Sequence, residues 1–256
     1  MRLNFINMCY HAAVAATYAQ LENHYQKPFE GDSFPSFTAK SDIVGYHFNG
    51  FSFPFMPIIG SNKMNTIESG QWGLIPAWTN DLQQANLLRA QTLNAKSETV
   101  FEKPSFKNSI QRQRCLIPVT GFFEWQTQVN NTKLPHYIFL PKQAIFSLAG
   151  ISADWFSQSE NKWYKTFSIL TTDANTLMAK IHNSKMRMPC ILTREQEEDW
   201  VNPDLSMHEL IRFFKPFDTL TMEAHPISNI ITRKSKLSNV PEVLKPIQPP
   251  LGDLFA

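Results

Sequence analysis

Four side chains of this chain could form a reactive site, although they lie far apart in the sequence. Cys9 directly follows an internal methionine, Met8, while Asn94, Glu124 and His182 lie in well-marked downstream segments. If translation starts at Met8 and that methionine is removed, Cys9 becomes the N-terminal residue. An N-terminal cysteine carries an amine and a thiol on adjacent carbons. This 1,2-aminothiol can capture an aldehyde as an imine and close it to a thiazolidine, which an internal cysteine cannot do.

Glu124 lies in the middle of an aromatic run, GFFEW, that favours a β-strand. Successive side chains of a strand point to opposite faces, so Phe122, Glu124 and Gln126 should share one face. The carboxylate is then either a surface group of an edge strand or a group in an apolar pocket. In a pocket beside Phe123 and Trp125, burial would raise the carboxyl pKa and suit it to general acid–base catalysis.

Taken one at a time, the other three residues have ordinary structural explanations. Cysteine is among the most buried residue types, so Cys9 alone is consistent with a core position. His182 lies between an amphipathic stretch and a basic turn, which is equally typical of a structural histidine. Asn94 is a common residue type in helix caps and turns. The interpretation as a reactive site therefore depends on the combination.

The composition is typical of a globular protein and excludes several functional classes. Of the 256 residues, 43% are hydrophobic and 18% are charged, and the net charge is +2. Three cysteines without a CxxC pair fit neither a disulfide framework nor a zinc site and favour a reducing compartment. No apolar run reaches membrane-spanning length. We therefore expect a cytoplasmic protein without membrane association.

Basic residues are grouped in three segments that lack acidic residues, at 103–114, 180–194 and 233–236. Such groups are usually solvated surfaces, but on one face they would form a track for phosphates. Trp72 and Trp78 are either core residues or a platform for unpaired bases, because aromatic faces stack nucleobases without sequence preference.

The pattern predicts an α+β fold, as a single domain with a curved, mainly antiparallel, barrel-like β-sheet flanked by short helices. Strands and helices interleave without regular β-α-β units, and the 17 prolines disfavour long helices. Strands are expected at 71–78, 114–119, 121–126, 136–140, 144–151, 163–171 and 219–227. Helices are expected at 12–26, 81–92, 104–113, 173–181, 194–201 and 206–214. We expect Asn80 and Asp173 to cap the second and fourth of these helices.

A longer set of motifs occurs in one order along the chain. After Met8-Cys9 come QWGLIPAW, NAKSETVFEKPSF, RCLIPVTGFFEW, LAGI, FSILTTDAN and IHNSKMRMPCIL, followed by HPIS and SNVPE. Together they closely resemble the SOS-response-associated peptidase (SRAP) family, whose members crosslink to abasic sites in single-stranded DNA. The resemblance covers roughly residues 8–240.

The resemblance implies a curved, β-rich domain with a basic groove for single-stranded DNA. In the family the initiator methionine is removed, and the cysteine that follows reacts with the ring-opened abasic sugar. Here that cysteine matches Cys9. The family's active-site asparagine, glutamate and histidine match Asn94, Glu124 and His182 through their surrounding motifs. No metal or organic cofactor is implied.

The chain departs from the family pattern at three places. Tyr10-His11 replaces the usual small-and-basic start after the cysteine. Lys96 stands where the family has an arginine, which keeps the charge but loses bidentate phosphate binding. Residues 1–7 precede Met8, and we interpret them as a non-native or mis-assigned extension to a single domain at 8–256.

The sequence therefore predicts a monomer that captures abasic sites in single-stranded DNA through Cys9 and protects them during repair, with self-processing of the Met8–Cys9 bond as a further activity. Two alternatives stay open: a cysteine hydrolase that uses Cys9 or Cys190 with His182, and a non-covalent single-strand-binding module. The expected DNA contacts are Trp72, Trp78, Lys96, Lys107, Arg112 and Arg187.

Overall fold

The computed structural model describes residues 9–30, 39–232 and 238–247. The expected extension at 1–7, together with Met8, lies outside the described residues, as does the basic group at 233–236. In chain order the strands are β1 (His11–Thr17), β2 (Ile43–Asn49), β3 (Phe55–Gly60), β4 (Glu68–Trp72), β5 (Asn94–Lys96), β6 (Arg114–Val119), β7 (Gly121–Thr127), β8 (Lys133–Phe139), β9 (Phe146–Ser157), β10 (Lys162–Asp173), β11 (Arg187–Pro189), β12 (Ile191–Leu192) and β13 (Glu223–Pro226). The α-helices are α1 (Tyr18–Tyr25), α2 (Leu82–Arg89), α3 (Lys107–Arg112), α4 (Thr176–Ile181), α5 (Arg194–Val201) and α6 (Met207–Leu210).

The first sheet is antiparallel and has five strands in the order β13-β8-β7-β1-β2. The pairing of β1 with β7 places His11 opposite Phe123 and Ala12 opposite Phe122. Alternate side chains of β7 enter different clusters, since Phe122 packs in the main core and Phe123 in a smaller one. Glu124 is the next residue on the Phe122 face, and it therefore points towards the interior.

The second sheet contains a closed barrel. β10 pairs with both β4 and β9, so that β10, β4, β3, β6 and β9 form a ring of five strands. β5 and β11 pair with β10, and β12 pairs with β9. Within the described strands, parallel pairing is limited to β10 with β4 and β5. The prediction of a single α+β domain with a mainly antiparallel, barrel-like sheet is confirmed.

The two sheets share one hydrophobic core. Val14 and Phe122 of the first sheet belong to the same buried cluster as Ile58 and Phe167 of the barrel. The N-terminal end of β1 lies at the boundary between the sheets, so the residues that precede it are positioned by both.

The largest error of the sequence prediction concerns 12–26, which was expected to be one helix. His11–Thr17 is instead a strand, and the helix runs only over Tyr18–Tyr25, where Thr17 is the N-cap and accepts a hydrogen bond from the Gln20 amide. Pairing with β2 and β7 outweighs the helix propensity of the alanines, whose side chains the sheet buries.

Other errors are strands that were not predicted, namely β2, β3, β5, β11 and β12, and shifted ends of elements, such as the strand expected at 71–78, which is Glu68–Trp72. Asp81 caps α2 in place of Asn80, and Asn175 caps α4 in place of Asp173, because Asp173 is still part of β10. The segment expected as a strand at 219–227 is extended only at Glu223–Pro226.

Candidate active site

Cys9 immediately precedes β1 and lies in the main core, with 1% of its surface exposed. Because β1 runs antiparallel to β7, the chain that enters β1 passes beside the segment of β7 that carries Glu124. Burial first, and then the nearby Glu124, raises the pKa of the Cys9 thiol well above its ordinary value, although the His11 backbone acts in the opposite direction. Cys9 therefore carries a neutral thiol next to a carboxyl group.

Asn94 reaches Cys9 from the other sheet. It begins β5, which pairs in parallel with β10 and places Asn94 opposite Ile169. Its side-chain Nδ2 donates a hydrogen bond to the Cys9 carbonyl oxygen at 2.9 Å. Its Oδ1 is buried without a hydrogen-bond partner in the described part of the chain. Asn94 thus holds the backbone of Cys9 and presents a further polar atom to the same region.

Glu124 is 4% exposed, and desolvation by burial raises its pKa to about 8. A backbone hydrogen bond from Trp125 lowers the pKa only in part. Its Oε1 atom is buried and has no hydrogen-bond partner among residues 9–30, 39–232 and 238–247. At neutral pH the carboxyl group is mostly protonated, which is the state a general acid requires.

His182 ends α4 and faces Glu124. Its Nδ1 lies 2.9 Å from the Arg187 carbonyl oxygen, which can only accept, so Nδ1 carries the proton of that bond. Its Nε2 lies 3.8 Å from Glu124 Oε2. A neutral His182 held in this tautomer presents a basic nitrogen to the carboxyl group. At 3.8 Å the two atoms are not hydrogen-bonded, so a proton passes from Glu124 as acid to His182 as base when the side chains approach or a bound group bridges them.

These four residues come together across the boundary between the two sheets. Glu124 belongs to the five-stranded sheet and Cys9 lies two residues before its strand β1, while Asn94 begins β5 and His182 follows α4. Two contacts cross the boundary, from Asn94 to Cys9 and between His182 and Glu124. The sequence prediction had placed them in one site, and the structure brings all four together.

A pocket of about 310 Å³ opens at this boundary. Glu124 and His182 line it together with residues that the sequence analysis did not select as site residues. These are Tyr10, His11, Trp125, Lys133, Ser184 and Thr232. The unusual Tyr10-His11 pair after the cysteine was the available signal for two of them, whereas Lys133 begins β8 and approaches the site only through the pairing of β8 with β7.

Two of the expected DNA contacts are wrong. Trp72 is fully buried against Phe167 and donates its indole N–H to the Leu93 carbonyl oxygen at 2.8 Å, so neither ring face is open to a base. Arg187 is 8% exposed and forms ion pairs with Glu98 and Asp173. Its charge is neutralised inside the protein and is not available to phosphates.

The remaining expected DNA contacts are accessible to different degrees. Trp78 is 44% exposed, and its indole N–H donates to the Pro104 carbonyl oxygen at 3.3 Å. Lys107 and Arg112 are exposed at the two ends of α3, and Lys96 is half-buried at the end of β5. A DNA-contacting role for these four residues stays a prediction.

The sequence is similar to those of several known proteins. The family model "SOS response associated peptidase (SRAP)" matches residues 8–234, which is most of the chain. The chain belongs to this family. A curated relative, Abasic site processing protein YoqW of Bacillus subtilis (strain 168), is 35% identical over 191 residues, which is 74% of this chain and 81% of the relative.

A more distant relative and two solved structures are also similar to the chain. Abasic site processing protein HMCES of Rattus norvegicus is 28% identical to the SRAP chain over 204 residues, or 69% of this chain and 55% of that protein. A crystal structure of a Bacteroides thetaiotaomicron protein is 39% identical, with a TM-score of 0.85 and coverage of 94% of this chain and all of that one. A Bordetella bronchiseptica protein at 20% identity and a TM-score of 0.67 shares the fold.

The described residues of the SRAP chain contain neither a metal-binding cluster nor a membrane-spanning helix. Across the described residues, histidine, cysteine and acidic side chains do not gather in any group of three that could hold a metal ion. None of the helices described is both long and apolar enough to cross a bilayer.

Proposed function

We propose that this protein captures abasic sites in single-stranded DNA covalently, through a thiazolidine formed by Cys9 as the N-terminal residue. The observation that carries the proposal is that Asn94 and Glu124 reach Cys9 from two different sheets and that His182 lies behind Glu124. The relatives named as abasic site processing proteins support the same substrate. An abasic sugar in its ring-opened form has an aldehyde at C1′, which is the group that an aminothiol captures.

The reaction starts with the α-amine of Cys9. An α-amino group has a pKa near ~8 and is partly neutral at pH 7, so it can attack the C1′ carbonyl. The carbinolamine then loses water and leaves an imine. The thiol adds across the imine, its sulfur bonding C1′ and its proton passing to nitrogen, which closes the five-membered ring. No oxidant, metal or cofactor enters this balance.

Glu124 and His182 move the protons. A protonated Glu124 can donate to the ring oxygen as the sugar opens, and then to the oxygen that leaves as water. His182 Nε2, on the far side of the carboxyl group, can take up and return the proton. Asn94 holds the Cys9 carbonyl and so fixes the direction from which the amine approaches.

The proposed preference for single-stranded DNA follows from how a sugar reaches the pocket. Glu124 and His182 line a pocket that Tyr10, the neighbour of the buried Cys9, also lines, and a sugar can enter it only when its strand is not held in a duplex. We propose Trp78 as a stacking surface for bases, and Lys96, Lys107 and Arg112 as phosphate contacts. Affinity should therefore fall as salt is raised and should vary little with sequence.

A general cysteine hydrolase is a weaker alternative. Such an enzyme needs a thiolate, usually obtained by pairing the cysteine with a histidine that lowers its pKa. The pKa of the Cys9 thiol is raised, and so is that of Cys190, which is buried in the core. Hydrolysis of the Met8–Cys9 bond with help from Glu124 and His182 fits the site better, since Glu124 lies near Cys9 with His182 next to it, and the hydrolysis would free the amine that capture requires.

The test is intact mass spectrometry after incubation with a single-stranded oligonucleotide that carries one abasic site. We expect a product whose mass is the sum of a protein that begins at Cys9 and the oligonucleotide, minus one water. Protein whose Cys9 amine remains blocked by preceding residues is the matched control and should stay unmodified. A crosslinked product that retains Met1 would contradict the proposal, and so would equal crosslinking by the blocked protein.

A further inference from the structure

His11 is a half-buried titratable residue that the proposed chemistry does not use. It lines the same pocket as Glu124 and His182. Its Nδ1 lies 2.8 Å from His47 Nε2, and the two rings are stacked with 5.1 Å between their centroids. His47 Nδ1 lies 2.8 Å from the Ser238 hydroxyl. A hydrogen-bonded chain of three side chains therefore runs from the pocket to Ser238.

The surroundings hold both rings in place and keep them neutral. The His11 ring meets the edge of Trp125 at 4.6 Å, and the His47 ring meets Phe123 at 5.5 Å. Burial, and then the neighbouring His47, lowers the pKa of His11 to about 3. Burial also lowers the pKa of His47 to about 4. Two neutral imidazoles, each with one N–H and one lone pair, can order their hydrogen bonds in either direction.

The segment around Ser238 is held in place without the side-chain hydrogen bonds of His11 and His47. The Asn239 side-chain oxygen already accepts hydrogen bonds from the backbone N–H groups of Tyr46 at 2.7 Å and His47 at 3.1 Å. The other ring nitrogen of His11, Nε2, makes no hydrogen bond within the described chain and is not enclosed by protein atoms, so it is open to the pocket.

We propose that His11 Nε2 hydrogen-bonds the oxygen on C1′ of the abasic sugar. This inference rests on the proposed function and makes His11 a specificity-determining residue, with His47 as the positioning residue behind it. An intact nucleotide has a base nitrogen on C1′, so the C1′ oxygen is the atom that distinguishes an abasic site.

The histidine chain suits both forms of that sugar. The closed form has a hydroxyl on C1′, which donates to Nε2 when His11 Nδ1–H donates to His47 and His47 donates to Ser238. The open form has a carbonyl oxygen, which accepts from Nε2–H when every bond in the chain is reversed. The two arrangements differ only in the direction of the hydrogen bonds, so His11 can bind either form of the sugar without either histidine becoming charged.

The experiment uses two oligonucleotides that cannot react. One carries a borohydride-reduced abasic site, which has an alcohol on C1′, and the other a tetrahydrofuran analogue, whose C1′ carries no hydroxyl and is bonded only to the ring oxygen. We expect the wild-type protein to bind the alcohol about two- to tenfold more tightly, the difference that one hydrogen bond makes. Equal affinity of the wild-type protein for the two oligonucleotides overturns the inference.

Matched variants separate the two nitrogens of His11. In His11→Asn the amide occupies the Nδ1 position and keeps the contact to His47 but lacks the outer nitrogen, so the preference should disappear. In His11→Gln the amide reaches the Nε2 position, so part of the preference should return. His47→Asn keeps the contact to Ser238 and loses the one to His11, and it should reduce the preference. His208→Asn, at an exposed residue of α6, is the control.

The affinity of each protein for intact single-stranded DNA and its thermal unfolding are also measured. A variant that acts only through the structure of the protein would change both of these quantities. A wild-type preference that persists in His11→Asn contradicts the inference. Crosslinking to an unreduced abasic oligonucleotide is measured in parallel. If crosslinking fails, the proposed function is wrong, whereas normal crosslinking without a preference for the C1′ oxygen overturns only the role of His11.

Discussion

Arg114 in the barrel and Glu124 at the boundary between the sheets are both buried ionisable residues, but their surroundings differ. The Arg114 guanidinium donates to the carbonyl oxygens of Ile110, Gln111, Trp200 and Asn202, which satisfy its N–H groups at the ends of two helices. One oxygen of Glu124 has no hydrogen-bond partner among the described residues. Arg114 joins elements together, whereas Glu124 keeps unused hydrogen-bonding capacity.

This difference indicates which part of the molecule is available to bind a substrate. A buried polar atom without a partner costs free energy, and native proteins retain few of them. Asn94 Oδ1 and Glu124 Oε1 are two such atoms, and they lie on opposite sides of one boundary, next to Cys9. A bound sugar can supply the missing hydrogen bonds. Buried polar atoms without a described partner also occur on the barrel strands, at Ser69, Gln71 and Ser168, so the feature specific to the boundary is that two of them lie near Cys9.

The strongest test of this division compares two cysteines. Cys9→Ala should abolish the stable crosslink, because no thiol remains to close the ring, although borohydride should still trap a transient imine through the α-amine. Cys190→Ala, in the core and away from Glu124, should crosslink at the wild-type rate. Gel analysis of crosslinked product with and without borohydride measures both. Loss of crosslinking in Cys190→Ala would favour the hydrolase alternative in which Cys190 is the nucleophile.

The second prediction concerns the proton-transfer pair. Glu124→Gln and His182→Ala should slow crosslinking while binding to intact single-stranded DNA stays near normal, because these groups move protons and do not hold phosphates. General acid–base groups contribute ~100- to 10,000-fold, so at least one variant should be slowed tenfold or more. Single-turnover crosslinking, with binding measured separately, provides both values. Wild-type rates in both variants would show that this is not the active site, even if Cys9 is the nucleophile.

The sequence was sufficient to select four residues that the fold brings near one another, because each lies in a distinctive motif, and to predict the fold class because strands such as Arg114–Val119 have a clear pattern. It was not sufficient where long-range pairing decides. His11–Thr17 is rich in alanine and resembles a helix until β2 and β7 pair with it. Likewise, nothing local shows that Trp72 faces the core or that Arg187 meets Glu98, 89 positions earlier in the chain.

The third prediction uses pH to distinguish the boundary from the barrel. The pKa of Glu124 is about 8 in the folded protein and near its ordinary value of 4.5 when unfolded, so the folded state holds its proton more tightly. The contribution of Glu124 to the free energy of unfolding is therefore complete below pH ~4.5 and is lost as pH rises towards ~8. At 1.36 kcal/mol for each pKa unit, the loss is about 5 kcal/mol across that window.

Glu124→Gln should remove this part of the pH dependence, so that the difference in unfolding free energy between wild type and variant changes steadily from pH 4.5 to 8. His11 and His47, whose pKa values are lowered, act in the opposite direction below pH ~6.5 in both proteins and cancel in the comparison. Denaturant titrations at several pH values measure it. Parallel curves for the two proteins would contradict the raised pKa of Glu124.

The smallest effects concern the basic residues, and they separate a buried arginine from an exposed lysine. The Arg187 side chain forms an ion pair with Glu98, in the segment after Asn94. The backbone carbonyl oxygen of Arg187 accepts the hydrogen bond from His182 Nδ1. Arg187→Ala should reduce the unfolding free energy by about 2 kcal/mol, as expected for hydrogen bonds to charged groups, and should slow crosslinking by displacing His182. The dependence of DNA affinity on salt should not change, because Arg187 is already neutralised within the protein.

Lys107→Ala should show the reverse. Its side chain is exposed on α3, so its removal should leave unfolding and the crosslinking rate of bound DNA unchanged. If Lys107 contacts a phosphate, the slope of log affinity against log salt should become shallower by about 0.7, the value for one contact on a single strand. Titrations with labelled oligonucleotide at four or more salt concentrations resolve such a change. A shallower slope in Arg187→Ala, with no change in Lys107→Ala, would mean that DNA approaches the β11 turn and not α3, and that the Glu98–Arg187 ion pair opens when DNA binds.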